Sequence, residues 1–201
     1  MTLHDFPAAD RAVLDRAVLD RLHARLVDAA AAEGSLDVSY RNLDSPVGRL
    51  LVAATPAGLV RLAFANESED EVLATLAARV SPRVLRAPGR FDDVASELDD
   101  YFAGRRRSFD LPLDLRLAQG FRRDVLAALP GIAYGTTASY KAVATSTGRP
   151  GAVRAVGTAC ATNPLPIFIP CHRVVRSDGS MGGYRGGPAA KQTLLELEAA
   201  P

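Results

Sequence analysis

The chain has 201 residues, is 48% hydrophobic and 23% charged, and carries a formal net charge of +1, which suits one good buried core or two modest ones and excludes a disordered tail-like chain. No apolar run approaches the ~20 residues that cross a bilayer, and the acidic start MTLHDFPAAD is unlike a secretory leader, so a cytoplasmic protein is expected. Two cysteines, Cys160 and Cys171, and three scattered histidines, His4, His23 and His172, argue against both a disulfide framework and a zinc site.

The duplicated RAVLD at Arg11 to Asp20 opens a helical stretch in which Leu14, Val18, Leu22 and Leu26 recur at one-turn spacing, predicting an amphipathic helix. From Val38, the runs VSYRNL, GRLLVAAT and LVRLAF, separated by the turn formers DSPVG and TPAG, predict an antiparallel meander. SEDEVLATLAARV then carries the capping box Ser68 to Glu71 and a stripe of Val72, Leu73, Leu76 and Val80. RVLRAPG reads as a link, FDDVASELDDYFAG as a helix closed by Gly104, and RRRSFDLPLDL as an extended connector. This divides the chain into a helical extension (1–35), an α/β domain (36–109), a connector (110–119) and a mostly helical domain (120–201).

The charge divides at the same place. Residues 1–115 hold 14 Lys/Arg against 19 Asp/Glu, whereas residues 116–191 hold 10 against 2. The basic half is either a surface for a polyanion or simply a solvated face. Within it, TTASYKAVATSTG and RPGAVRAVGTACATN predict two helices around the turn TGRPG, a helix-turn-helix with Gly148 capping the first helix and Pro150 beginning the second. Val153, Val156 and Cys160 share the inward face of the second helix. Its other face carries Arg154, Gly157, Thr158 and Ala161, small except for one arginine. Such a face suits either a nucleic-acid groove, with the arginine entering the base stack, or a neighbouring helix.

Cys171 follows the apolar run IFIP and precedes His172 and Arg173. It is either an inert buried thiol or a nucleophile whose ionisation its basic neighbours favour. In a strand, successive side chains point to opposite faces, so His172 would act on Cys171 only across a bend or through a water. A third group must then orient the imidazole. Lys191, Leu195 and Glu198 line up along the last predicted helix, and Glu198 either faces inward to do this or marks a solvated helix end.

The run NPLPIFIPCHRVVRSDGSMGGYRGG, with YGTTASY and RAVGTACATNP before it, closely resembles the O6-alkylguanine-DNA alkyltransferases, the methylated-DNA:protein-cysteine methyltransferases. The resemblance covers residues 120–198 and, more weakly, 38–115, where SPVGRLLVAAT and LDDYFAGRRRSFDLPLDL are similar to that family's smaller N-terminal domain. It departs where the family commonly has PYG and this chain has Ala133, Tyr134 and Gly135, and where a tryptophan is replaced by Leu126.

The resemblance implies a ribonuclease H-like α/β domain, an antiparallel sheet with helices, followed by a mostly α domain with a helix-turn-helix of winged-helix type. It implies that Cys171 accepts the alkyl group, with His172, through a water, and Glu198 relaying its proton. Tyr140 would protonate the departing guanine and rotate the nucleotide's phosphate. Arg154 would fill the space of the flipped base, beside the DNA-facing Gly157, Thr158 and Ala161. Asn163 would be a hinge, Val174 would read the guanine edge with its carbonyl, and Tyr184 and Arg185 would sit on the loop covering the pocket. Lys191 would bond near that loop or Tyr140, and Cys160 would be a packed thiol in the pocket wall. No metal or cofactor is implied. The partner would be double-stranded DNA carrying O6-alkylguanine, and also O4-alkylthymine, bound by a monomer able to self-associate on DNA.

Overall fold

The structure, a computed structural model, describes residues 8–200, with side chains from Arg16 onward. A long helix α1 (Ala8–Ala32) leads into strands β1 (Val38–Leu43), β2 (Leu50–Thr55) and β3 (Gly58–Phe64), then helix α2 (Glu69–Arg79), strand β4 (Val84–Arg86) and helix α3 (Asp92–Phe102). β1, β2 and β3 form the expected antiparallel meander. The link RVLRAPG is not a link: its first residues become β4, which pairs parallel to β1 through Val38–Val84 to Tyr40–Arg86 and makes the sheet mixed. Three residues flanked by prolines give too short a period-2 pattern to announce a strand; the exposed edge of β1 supplies its partner.

The sheet is apolar on both faces. Val38, Leu51, Ala53, Val60 and Ala63 pack under α2 against Val72 and Leu76. Leu50, Val52, Leu59, Leu62 and Phe64 face Phe91, Val94, Leu98 and Tyr101 and, beyond them, the C-terminal half. Leu59 and Leu62, three residues apart, share this face because the β2–β3 register shifts at Ala53/Ala54 and leaves Val60 unpaired, a bulge that resets the alternation. Ser68 caps α2 as its sequence predicts, its hydroxyl accepting from the Glu71 amide.

The connector is stitched to the sheet. Leu59 N–H donates to Pro112 O (2.8 Å) and Asp114 N–H to Leu59 O (2.7 Å). Gly58, at φ +135°, lies so close to the Pro112 carbonyl that any Cβ there would collide with it.

Past the connector come helices α4 (Phe121–Ala128), α5 (Tyr140–Ser146), α6 (Val153–Ala161) and α7 (Gly187–Ala199), with two-residue strands β5 (Ala138–Ser139) and β6 (Val174–Val175) paired in parallel. α5 starts at Tyr140 because Ser139 caps it, the preceding residues being drawn into β5. Gly148, at φ +74°, ends that helix region, and Pro150 lies in the turn, not in α6, which begins three residues later. Val125, Leu126, Leu129, Val143, Ala144, Val156 and Leu194 close the core of this half, and that core is continuous with the sheet face carrying Leu50 and Tyr101.

Two apolar stripes fall differently from their spacing. On α1, Val18, Leu22 and Leu26 are exposed, and the helix is held instead by Val27 and Ala30 against Leu36 and Ala87. Leu14 lies outside the described side chains. On α6, Val156 and Cys160 are buried but Val153, in the first turn, is exposed. Among the described residues, no helix is long and apolar enough to cross a membrane.

Candidate active site

The segment between α6 and the site is set by one buried amide. Asn163, fully buried, accepts from Leu165 N–H (3.0 Å) through Oδ1 and donates from Nδ2 to both Ile169 O (3.0 Å) and the Cys171 sulfur (3.1 Å). It closes the loop 165–169, in which Ile167 takes a left-handed backbone (φ +74°). A β-branched residue held there costs about 1–3 kcal/mol, which the surrounding hydrogen bonds and prolines must offset. The loop delivers Pro170 and then a single 3-10 turn, Cys171–Arg173, where the sequence alone suggested extended chain. The turn lets all three side chains bury together. Cys171 is 2% exposed, His172 0% and Arg173 7%.

Glu198 faces inward from the last turn of α7, 3% exposed, and is the hub of the cluster. Its Oε1 meets His172 Nε2 (2.9 Å) and accepts from the Tyr101 hydroxyl (2.7 Å) and an Arg173 Nη (2.9 Å). Oε2 accepts from Arg173 Nε (2.8 Å) and the Gly135 amide (3.4 Å). Arg173 also donates to Ile132 O (2.6 Å). Burial raises the Glu198 pKa, but the hydrogen bonds from His172, Arg173 and Tyr101 outweigh it and bring the carboxyl from its ordinary 4.5 to about 2. It is ionised throughout the physiological range.

Burial pushes the His172 imidazole below its ordinary 6.5 even though Glu198 pulls upward, so the ring is neutral near pH 7. Its Nδ1 is buried with no protein partner, and so is the Tyr184 hydroxyl, whose ring stands edge-on to the imidazole at 6.3 Å. Burial also drives the Cys171 thiol up to about 11, against the opposing effects of Asn163 and Lys191. The resting group is a thiol beside a neutral imidazole. Cys160, 4% exposed, is pushed by burial to about 12, against the opposing effect of Lys191.

Lys191, expected near the cover segment or Tyr140, donates from Nζ to the Val174 carbonyl at 2.6 Å. The half-buried Tyr140 abuts the cover segment, where a Cβ on Gly182 would strike its ring. Tyr184 stacks edge-on against Phe64 of β3 (5.5 Å), and Gly186 packs so tightly on Phe64 that a side chain there would collide. Arg185 pairs with Glu67 (2.7 Å), which also pairs with the buried Arg61. The N-terminal half therefore grips the segment 184–186, whose Tyr184 stands against His172.

On α6, Arg154, Thr158 and Ala161 are exposed and Gly157 is half-buried with open space where its Cβ would be. Among the described residues no neighbouring helix lies on that face, which disfavours the helix-packing reading of its small residues. Three participants escaped the sequence reading. Arg173 was visible as a neighbour of Cys171 but its turn was not; Tyr101 and Glu67 lie about 100 residues from the site, and no local pattern marks them.

The chain matches two family models in succession: the 6-O-methylguanine DNA methyltransferase ribonuclease-like domain over residues 38–115, and the DNA binding domain of the same family over 120–200. A methylated-DNA–protein-cysteine methyltransferase of Mycobacterium tuberculosis is 40% identical over 161 residues, 80% of this chain and 92% of that protein. The counterpart from Mycobacterium leprae is 41% identical over the same shares. The crystal structure of Mycobacterium tuberculosis OGT in complex with DNA is similar with a TM-score of 0.71 at 40% identity, covering 80% of this chain and 92% of that one. With both halves matched and the fold shared, the chain belongs to the 6-O-methylguanine DNA methyltransferases, the methylated-DNA–protein-cysteine methyltransferase family.

Proposed function

We propose that Cys171 is the alkyl acceptor in the repair of O6-alkylguanine, and O4-alkylthymine, in duplex DNA, and that residues 36–109 and 120–201 act as the two working halves of a cytoplasmic protein. The observation that carries this reading is the juxtaposition of Cys171, through Asn163, with the end of α6, and of His172 with the buried Glu198. A base flipped out of a duplex lying on α6 arrives beside the only buried thiol–imidazole–carboxylate group among the described residues.

The chemistry follows from the resting charges. As the lesion enters, His172 Nδ1 takes the Cys171 proton, directly or through a bridging water, and Glu198 stabilises the imidazolium. The thiolate attacks the alkyl carbon; the carbon–O6 bond breaks with its electron pair going to the guanine, which takes a proton from Tyr140. A thioether remains on Cys171, and no group in the site can hydrolyse it, so each molecule acts once. Arg154 occupies the vacated base stack, with Gly157, Thr158 and Ala161 letting α6 approach closely. Val174 offers its carbonyl to the edge of the base. Tyr184 and Arg185 belong to the cover that must lift to admit it, since Cys171 is otherwise enclosed.

Incubation with a duplex carrying methyl-labelled O6-methylguanine, followed by peptide mapping, tests the assignment. The label is expected on the Cys171 peptide, and Cys171→Ser should bind the duplex while taking up none. Label on Cys160, or methyl released to solution, would refute the assignment.

A further inference from the structure

We infer that Tyr101, on α3 of the N-terminal half, is a positioning residue for alkyl transfer, setting the basicity of the His172–Glu198 pair from across the domain junction. The inference rests on the reading of Cys171 as acceptor. Tyr101 is 1% exposed, and its hydroxyl donates to Glu198 Oε1 at 2.7 Å, the same oxygen that meets His172 Nε2. Its ring is held by Phe102, Phe109 and Tyr134 at centroid distances of 5.4, 5.1 and 6.3 Å, contacts a phenylalanine would keep. The carboxylate is the one partner its hydroxyl has among the described residues, so what a tyrosine adds over phenylalanine here is this bond.

The effect of that bond has a definite sign. A donor on Oε1 draws charge from the oxygen that attracts the imidazole N–H, which makes the imidazole harder to protonate. Burial and the adjacent carboxylate raise the Tyr101 pKa, so the hydroxyl acts only as a donor. The other titratable groups facing the pair are Arg173 on Glu198, Tyr134 donating to Leu197 O (3.4 Å), Tyr184 edge-on to the imidazole, the neighbouring Cys171 thiol, and Lys191, whose charge opposes protonation of His172. None of these is altered by removing one hydroxyl. In Tyr101→Phe, Glu198 becomes the stronger base and the His172 pKa rises.

Two measurements on the full chain test this. The first is the His172 pKa read from ring nitrogen and carbon shifts, which must be resolved from only His4 and His23. The second is the rate of alkyl transfer from free O6-benzylguanine between pH 5 and 9, with mass spectrometry locating the benzyl group. Tyr101→Phe should raise the His172 pKa and the acid-limb midpoint by about 0.5–1 unit, a part of the strength of one hydrogen bond to a charged group, because the effect reaches the imidazole only through the carboxylate. Transfer should then be slower than wild type near pH 6 and equal or faster near pH 8. A uniform loss of rate with an unmoved midpoint and unmoved His172 shift would assign Tyr101 a packing role and overturn the inference. Wild-type protein that takes up no benzyl group on Cys171 would instead overturn the functional reading, and the positioning role with it, whatever the histidine shifts show.

Discussion

Glu198 illustrates how much a single residue's surroundings decide. Three residues from the C-terminus, its spacing with Lys191 left both a solvated helix end and an inward acid open, with the solvated end favoured. The fold buries it under five donors, including an arginine that has no other carboxylate among its described ion pairs. Glu198→Gln should therefore cost about 3–5 kcal/mol of stability by stranding Arg173, measured by chemical denaturation, and slow alkyl transfer by about 10²-fold or more. The pH dependence follows from the same cluster. Glu198 sits at about 2 against an ordinary 4.5, so its contribution is complete above pH 4.5 and is lost as pH falls toward 2. His172, held below 6.5, adds to the loss on the acid side, because the unfolded imidazole binds its proton first. Cys171, raised from 9 to about 11, acts oppositely: its contribution is present below pH 9 and is lost as pH rises through 11. A melting temperature that is flat between about pH 6.5 and 9 and falls on both sides is expected.

At the scale of elements, the helix-turn-helix was legible because its turn chemistry and the small face of α6 are local signals. Cys171 and His172 were legible as a motif, but the 3-10 turn that buries both was not, since it depends on Asn163 and the left-handed Ile167. The α1 stripe misled for a different reason. Periodicity marks an apolar face without naming a partner, and Val27, one position off the stripe, makes the contact together with Ala30, at the stripe's last turn. The exposed face of α6 permits a discriminating substitution. The Cβ of Gly157→Leu meets open space, so helix propensity should leave stability unchanged or raise it by about 0.5–1 kcal/mol, while duplex affinity falls. Should thermal stability drop and DNA binding persist, the face is not a groove-facing one. Arg154→Ala should slow transfer from duplex DNA by about tenfold or more, and transfer from free O6-benzylguanine far less, because only the duplex requires a base to be extruded.

Across the whole molecule, the two halves work as one body. Glu67, after β3, pairs with buried Arg61 and with Arg185 of the cover segment, and its carboxylate also accepts from the Phe64 amide. Glu67→Ala leaves Arg61 buried without its counter-charge and should cost about 3–5 kcal/mol, read as a lower melting temperature. Such long-range pairs were invisible in the sequence, where charge patterning showed only that residues 116–191 are basic. That basic half should make duplex binding fall steeply with salt, with little dependence on sequence. The central claim is that the sulfur of Cys171 is consumed by the lesion it repairs. Titrating the protein with excess labelled O6-methylguanine duplex measures this directly: transfer should stop at one methyl per molecule. A count that climbs past one with time, or stays at zero, would contradict the account.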